Sequence, residues 1–220
     1  MPATRYAPRH AETRRAVPRR RRRHRRLGPV RIIVLVLLVL IAARGLLHVT
    51  GLDRRLNVDH VPSWVSVQLV EVNGSGRRGE PIDRVTDIAI HYVGNPGTTA
   101  QQNRDYYDQP DTPVSSHFVI GLDGEAIQCV PLTEKSSATN ERNRDTISIE
   151  VCHPDETGQF TQASYDSLVR LTAWLCDELG LDRGDVIRHY DVTGKLCPLY
   201  FVEHPEAWEQ FLQDVKDYRE

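Results

Sequence analysis

Four cysteines in 220 residues are too few for a disulfide framework, which excludes a cysteine-stapled miniprotein. The chain contains no H-E-x-x-H run or other short regular metal motif. It has no internal repeat, and it is too short for two full enzyme domains. Acids are almost missing from the first 44 residues, where Glu12 stands alone against 13 arginines, a local charge of +12. Residues 45–220 carry 15 basic and 29 acidic side chains, a charge of −14, so the overall −2 averages two opposite parts. A basic nucleic-acid-binding body is therefore excluded, and no nucleic-acid partner is expected. With 40% hydrophobic and 26% charged residues, the chain suits one folded domain of ordinary size plus extra segments.

The N-terminal segment is dominated by one pattern. Arg19 to Arg26 is arginine broken only by His24, and an unbroken apolar run follows from Ile32 to Ala43. Leu27 to Val49 gives 23 positions, or about 35 Å of helix. A basic flank before an apolar centre predicts a single-pass membrane anchor at 27–49, with residues 1–26 as a cytoplasmic tail. Everything after it would then be extracytoplasmic. A cleaved signal peptide is the competing reading, but Arg44 spoils the small-residue site around Ala43 and Gly45. A buried helix of a soluble domain would not be apolar on every face. The arginine run could bind RNA, yet beside an apolar segment it more simply meets anionic lipid.

Residues 50–62 read as a linker, and 63–220 as the folded domain. Trp64 to Val72 alternates as an edge strand does, and Thr86 to Val93 is apolar on both faces, as a central strand is. Thr98 or Thr99 caps a short helix to about Asp108. Ser116–Leu122 and Glu125–Pro131 form a hairpin about Asp123-Gly124, and Thr146–Cys152 is a buried strand. A helix runs from Gln162 to Leu179, capped by Thr161 and stopped by Gly180. Val186–Tyr190 is a further strand. A last helix opens at Pro205 and buries Trp208, Phe211, Leu212 and Val215. Interleaved strands and helices indicate an α/β domain with a central mixed β-sheet flanked by helices.

Reactive groups appear where a packed core needs none. His91 sits in the apolar strand Ile88–Val93, Glu150 lies inside Ile147–Val151, and His189 and Cys197 bracket a segment that also holds Lys195. A catalytic zinc site takes three ligands from imidazole, thiolate and carboxylate, and keeps one position open. His91, His189 and Cys197 meet that count, with Gly194 letting the chain turn back. Glu150 would move the proton of the attacking water, and Lys195 would stabilise an oxyanion, giving hydrolysis of an amide. Plainer readings stand beside these. A single strand-end histidine is more often a hydrogen-bonded structural residue, and a buried cysteine is usually a small hydrophobe. Glu150 resists the plain reading, because a buried carboxylate without a cation or partner is costly.

As a set, Ile90-His91-Tyr92 with Asn95-Pro96-Gly97, Ser115-Ser116-His117-Phe118, Gly121-Leu122-Asp123-Gly124, Ile147-Ser148-Ile149-Glu150 and His189–Pro198 resembles a known family. It is that of the zinc-dependent N-acetylmuramoyl-L-alanine amidases, the type-2 amidases, related to phage endolysin amidases and peptidoglycan recognition proteins. The resemblance covers residues 62–218. It implies one catalytic zinc ion held by His91, His189 and Cys197, with Glu150 as the acidic catalytic residue and Lys195 beside the metal. The implied substrate is the amide joining N-acetylmuramic acid to L-alanine of the peptidoglycan stem peptide. A monomer is expected. The chain departs from many relatives at Ser136-Ser137-Ala138-Thr139, where they carry a Trp-His pair, so stem-peptide preference is open there. His117 is expected to be structural or substrate-contacting, not a ligand.

Two rivals remain. In a non-hydrolytic wall-recognition module the same cleft would only bind muropeptide, but binding-only relatives tend to replace the thiolate ligand, and this chain keeps Cys197. In a structural zinc domain a fourth ligand would close the site, with His153 the nearest spare donor. Cys129, Cys152 and Cys176 are expected as separate buried thiols, with Cys152 and Cys176 the pair to consider if one bridge forms.

Overall fold

The computed structural model describes residues 61–72 and 74–218, together with Ile33, Val34, residues 36–39 and Ala42. Those seven N-terminal residues are helical, and Ile33, Val34, Val36, Leu37, Leu38 and Val39 are exposed. The expected basic tail 1–26, the rest of the 27–49 anchor and nearly all of the 50–62 linker lie outside the described residues. Among the described residues no helix is long and apolar enough to cross a membrane.

Among the described residues the folded body holds six strands: β1 (Val65–Val67), β2 (Asp87–Tyr92), β3 (Phe118–Ile120), β4 (Ala126–Gln128), β5 (Thr146–Val151) and β6 (Val186–Arg188). Its helices are α1 (Ala100–Tyr107), α2 (Gln162–Leu179), α3 (His189–Thr193), α4 (Leu199–Glu203) and α5 (Pro205–Asp217). The strands form one mixed sheet in the order β1-β4-β3-β5-β2-β6. Among the pairings of these described strands, only the β3–β4 hairpin is antiparallel. The expected class, a central mixed sheet with flanking helices, is the one observed.

Strand alternation sorts the two faces of this sheet. Ile88 and Ile90 of β2, Phe118 and Ile120 of β3, and Ile147, Ile149 and Val151 of β5 join the larger core. There they pack with Leu168, Leu171 and Leu175 of α2 and Phe211 of α5. The intervening residues, Val119 and Val93 among them, face a smaller cluster with Ala100 and Tyr107 of α1. His91, Ser148 and Glu150 share the parity of this second face, because side chains two apart on a strand point the same way. β2 pairs on both sides, with β5 and with β6, so its backbone is fixed on either flank.

Local signals set the helix ends. Thr99 caps α1, accepting from the Gln102 N–H at 3.1 Å, and Thr161 caps α2, accepting from Ser164 N–H at 3.0 Å. Gly180 ends α2 at φ 62°, a left-handed conformation that suits glycine. α5 opens at Pro205 and buries Trp208, Phe211, Leu212 and Val215, as expected.

Two expected strands are shorter than their sequence patterns. β1 covers only Val65–Val67 of the 64–72 span, because Ser66 and Val67 are both exposed and the alternation breaks there. The chain still follows β4 loosely, through Gln68 N–H to Gln128 O at 3.0 Å and Val70 N–H to Cys129 O at 2.9 Å. β6 stops at Arg188, not Tyr190. Asp191 accepts from the Arg188 N–H at 2.8 Å, which caps a helix that starts at His189. The four cysteines are all free and buried. Cys152 and Cys176, the pair considered for a bridge, belong to different clusters.

Candidate metal centre and active site

His91 and Glu150 occupy matched positions on the parallel strands β2 and β5. His91 Nδ1 lies 3.9 Å from Glu150 Oε1. His189 opens α3 directly after β6, the other neighbour of β2. Gly194 then ends α3 at φ 76°. This lets Lys195–Cys197 fold back, and Tyr190 N–H bonds to Cys197 O at 2.9 Å. Cys197 Sγ thereby comes to 3.8 Å from His91 Nδ1, and the rings of His91 and His189 sit with centroids 4.7 Å apart. One donor atom from each of His91, His189 and Cys197 lies within 4.8 Å of the others. Arg188 braces the arrangement by donating to Phe201 O at 3.0 Å and to Asp191 Oδ1 at 2.8 Å.

The group lies in a cleft of about 820 Å³, whose wall includes Arg78, Asn103, Tyr106, Val114, Ser137 and Lys195. The strand residues beneath it, Ala89, Val119 and Ser148, are fully buried. Burial, then the neighbouring His189 and Lys195, holds His91 well below its usual pKa, and burial and Lys195 lower His189 as well. Both rings are neutral at pH 7 and free to offer a lone pair. Burial pushes the Cys197 thiol up to about 12, and the Glu150 carboxylate adds to this against the pull of Lys195 and a Tyr92 backbone bond. Burial likewise raises Glu150 to about 8, opposed by Lys195. Glu150 Oε2 is buried without a hydrogen-bond partner. Two imidazoles, a thiol and a carboxyl thus converge in one place, a donor set whose chemistry fits a divalent cation.

The structure thus brings all five expected residues, His91, Glu150, His189, Lys195 and Cys197, to one cleft. His117 is elsewhere. It is fully buried, its Nδ1 accepts from Ser148 N–H at 3.0 Å, and its Nε2 lies 2.9 Å from Glu134 O. That is a structural role. His153 is no fourth ligand either, because its two ring nitrogens contact Asp155 O and Val93 O, each at 2.7 Å. Of the departing segment, Ser137 and Ala138 line the cleft, whereas Ser136 and Thr139 are buried. Asn140 was not foreseen: its Oδ1 accepts from His189 Nε2 at 2.8 Å. A lone Thr-Asn pair carries no sequence signal for such a contact.

Comparison with known proteins agrees with this geometry. The family model described as N-acetylmuramoyl-L-alanine amidase matches residues 81–199. The N-acetylmuramoyl-L-alanine amidase CwlL of Bacillus licheniformis is 28% identical over 163 residues, covering 66% of this chain and 45% of that protein. The N-acetylmuramoyl-L-alanine amidase BlyA of Bacillus subtilis is 28% identical over 168 residues, covering 67% and 45%. The chain therefore spans about half the length of these relatives. Among solved structures, a mutant endolysin from Bacillus subtilis superposes with TM-score 0.59 at 23% identity, over 69% of this chain and 97% of that one, a likeness of fold. With cleft, donor set and matched span in agreement, the chain belongs to the N-acetylmuramoyl-L-alanine amidase family, the type-2 amidases.

Proposed function

We propose that this domain hydrolyses the amide between N-acetylmuramic acid and L-alanine of the peptidoglycan stem peptide, using one zinc ion held by His91, His189 and Cys197. The observation that carries the proposal is the convergence of two imidazoles and a thiol within 4.8 Å on the floor of an open cleft. Two nitrogens and a sulfur suit zinc, and three protein ligands leave a coordination position for reaction. The partnerless Glu150 Oε2 beside them fits a group meant to face a cation or a water.

The chemistry a bound zinc supplies is polarisation of the amide carbonyl and acidification of a water. Glu150 takes the proton of the attacking water and returns it to the departing nitrogen, a role for which a raised pKa is an advantage. Lys195, exposed at the cleft wall, faces the oxygen on which negative charge develops. The sheet floor keeps His91 and Glu150 in fixed register and excludes water from below.

The apolar run and its arginine flank support a further proposal: the domain is tethered through residues 27–49, with the tail 1–26 cytoplasmic and the catalytic domain extracytoplasmic. Protease added to intact spheroplasts would digest the domain and spare the tail; protection of the domain would reverse this topology.

A wall-recognition module that binds without cleaving is the second reading. Cys197 separates the two, since a binding cleft has no need of a thiolate. The deciding experiment purifies the full chain, measures zinc by elemental analysis and follows release of L-alanine-terminated stem peptides from peptidoglycan. Wild type is compared with Cys197→Ser and Glu150→Ala. Zinc with peptide release supports hydrolysis, and zinc without release from any wall type gives the function to recognition.

A further inference from the structure

Thr139 and Asn140 are consecutive residues, yet each reaches a different histidine of the site. Thr139 Oγ1 lies 3.1 Å from His91 Nε2, and Asn140 Oδ1 lies 2.8 Å from His189 Nε2. The segment that carries them is itself pinned. Asn143 Oδ1 accepts from the Ala138 N–H at 3.1 Å and from the Thr139 N–H at 2.6 Å. Thr139 is fully buried. Asn140 has φ 54°, the single positive value at a non-glycine position among the described residues. Asparagine is one of the few side chains that enter this region readily.

The Asn140 bond has one possible direction, and it fixes the His189 ring. A side-chain amide oxygen accepts and never donates, so His189 carries its proton on Nε2 and leaves the Nδ1 lone pair free. With its Nε2 turned to Thr139, His91 points Nδ1 at Cys197 Sγ, 3.8 Å away.

We infer that Thr139 and Asn140 are a paired positioning device, which holds His91 and His189 in the Nε2–H form so that both Nδ1 atoms face one divalent cation. The inference rests on the reading of His91, His189 and Cys197 as a ligand set. An imidazole that donates its second N–H to a fixed acceptor is oriented and made a better ligand. Here both acceptors come from one short segment, so a shift of residues 138–143 moves both rings together. This gives the segment where the chain departs from many relatives a role at the metal centre and not only in the peptide groove.

The test uses the full chain, stripped of metal, and titrates zinc against a chromophoric chelator. Cobalt(II) is loaded in parallel and its visible bands recorded. Thr139→Val removes the acceptor at equal shape, and Asn140→Gly removes it while keeping the positive φ accessible. Each is expected to weaken zinc binding by about 10- to 100-fold and to shift the cobalt bands. The conservative variants Thr139→Ser and Asn140→Asp, which retain an acceptor, are expected to restore both readouts. Thermal unfolding of the metal-free proteins is followed alongside. If Thr139→Val does not fold, the exposed Asn140 position carries the test alone. Wild-type affinity and unchanged cobalt bands in the Val and Gly variants would overturn the inference while leaving the ligand set standing. A wild-type chain that takes up no zinc would overturn both.

Discussion

His91 and Glu150 sit side by side on β2 and β5, in register, with Nδ1 and Oε1 3.9 Å apart on the sheet face away from the larger core. One is a neutral ring and the other a carboxyl raised to about 8, both by burial. Parallel pairing thus delivers the proposed metal donor and the proposed proton carrier to one point without any loop having to place them.

The carboxyl sets a pH dependence of stability. Its folded pKa of about 8 lies above the ordinary 4.5, so the folded state binds the extra proton. Its contribution is full below pH 4.5 and is lost as pH rises through 8. Metal-free Glu150→Gln should therefore match wild type at pH 4.5 and exceed it by about 1–3 kcal/mol at pH 8.5. Denaturant melts of the metal-free proteins at the two pH values measure this. A difference independent of pH would contradict the assignment.

In the loaded enzyme the same substitution acts oppositely. Glu150→Gln keeps the shape and loses the base, and kcat is expected to fall by about 10²–10⁴ with zinc content unchanged. Steady-state assay with elemental analysis separates this from metal loss.

In the proposed mechanism Lys195 acts after the substrate is bound. Lys195→Met is expected to lower kcat by about 10²–10³ with a small change in KM, because an oxyanion exists only past the ground state. A rise in KM with constant kcat would instead make Lys195 a substrate clamp.

Metal uptake should release a proton. The Cys197 thiol, held up to about 12, must lose its proton to ligate, while the two histidines are already neutral. Zinc affinity then rises with pH across neutrality, by about tenfold per pH unit for one displaced proton. Calorimetry in buffers of different ionisation heat counts the protons, and Cys197→Ser should lose both the proton and most of the affinity.

Phe211 anchors the far side of the larger core, against Phe201 at 5.4 Å and Trp208 at 5.4 Å between centroids. Phe211→Ala is expected to cost about 3–5 kcal/mol, read from denaturant melts. Because Phe201 lies in α4, just beyond Cys197, zinc affinity should fall with it.

The parts of the fold with local causes were legible in the amino-acid order. Thr161 and Gly180 bound α2 because a cap and a left-handed stop act within one turn, and the apolar β2 and β5 are legible as buried strands for a similar reason. The five reactive residues stood out because a carboxylate and two histidines beside apolar strands serve no packing purpose. Their convergence on one cleft came from the fold and not from any local pattern. Cys197 and His91 are 106 residues apart in the chain, and their meeting depends on β6 lying beside β2 and on the return of the chain at Gly194. The five-residue helices α3 and α4 carry too little pattern to announce themselves. The contacts of Thr139 and Asn140 with the two rings have no local cause either. Strand order and register are properties of the whole sheet, and no window of sequence contains them.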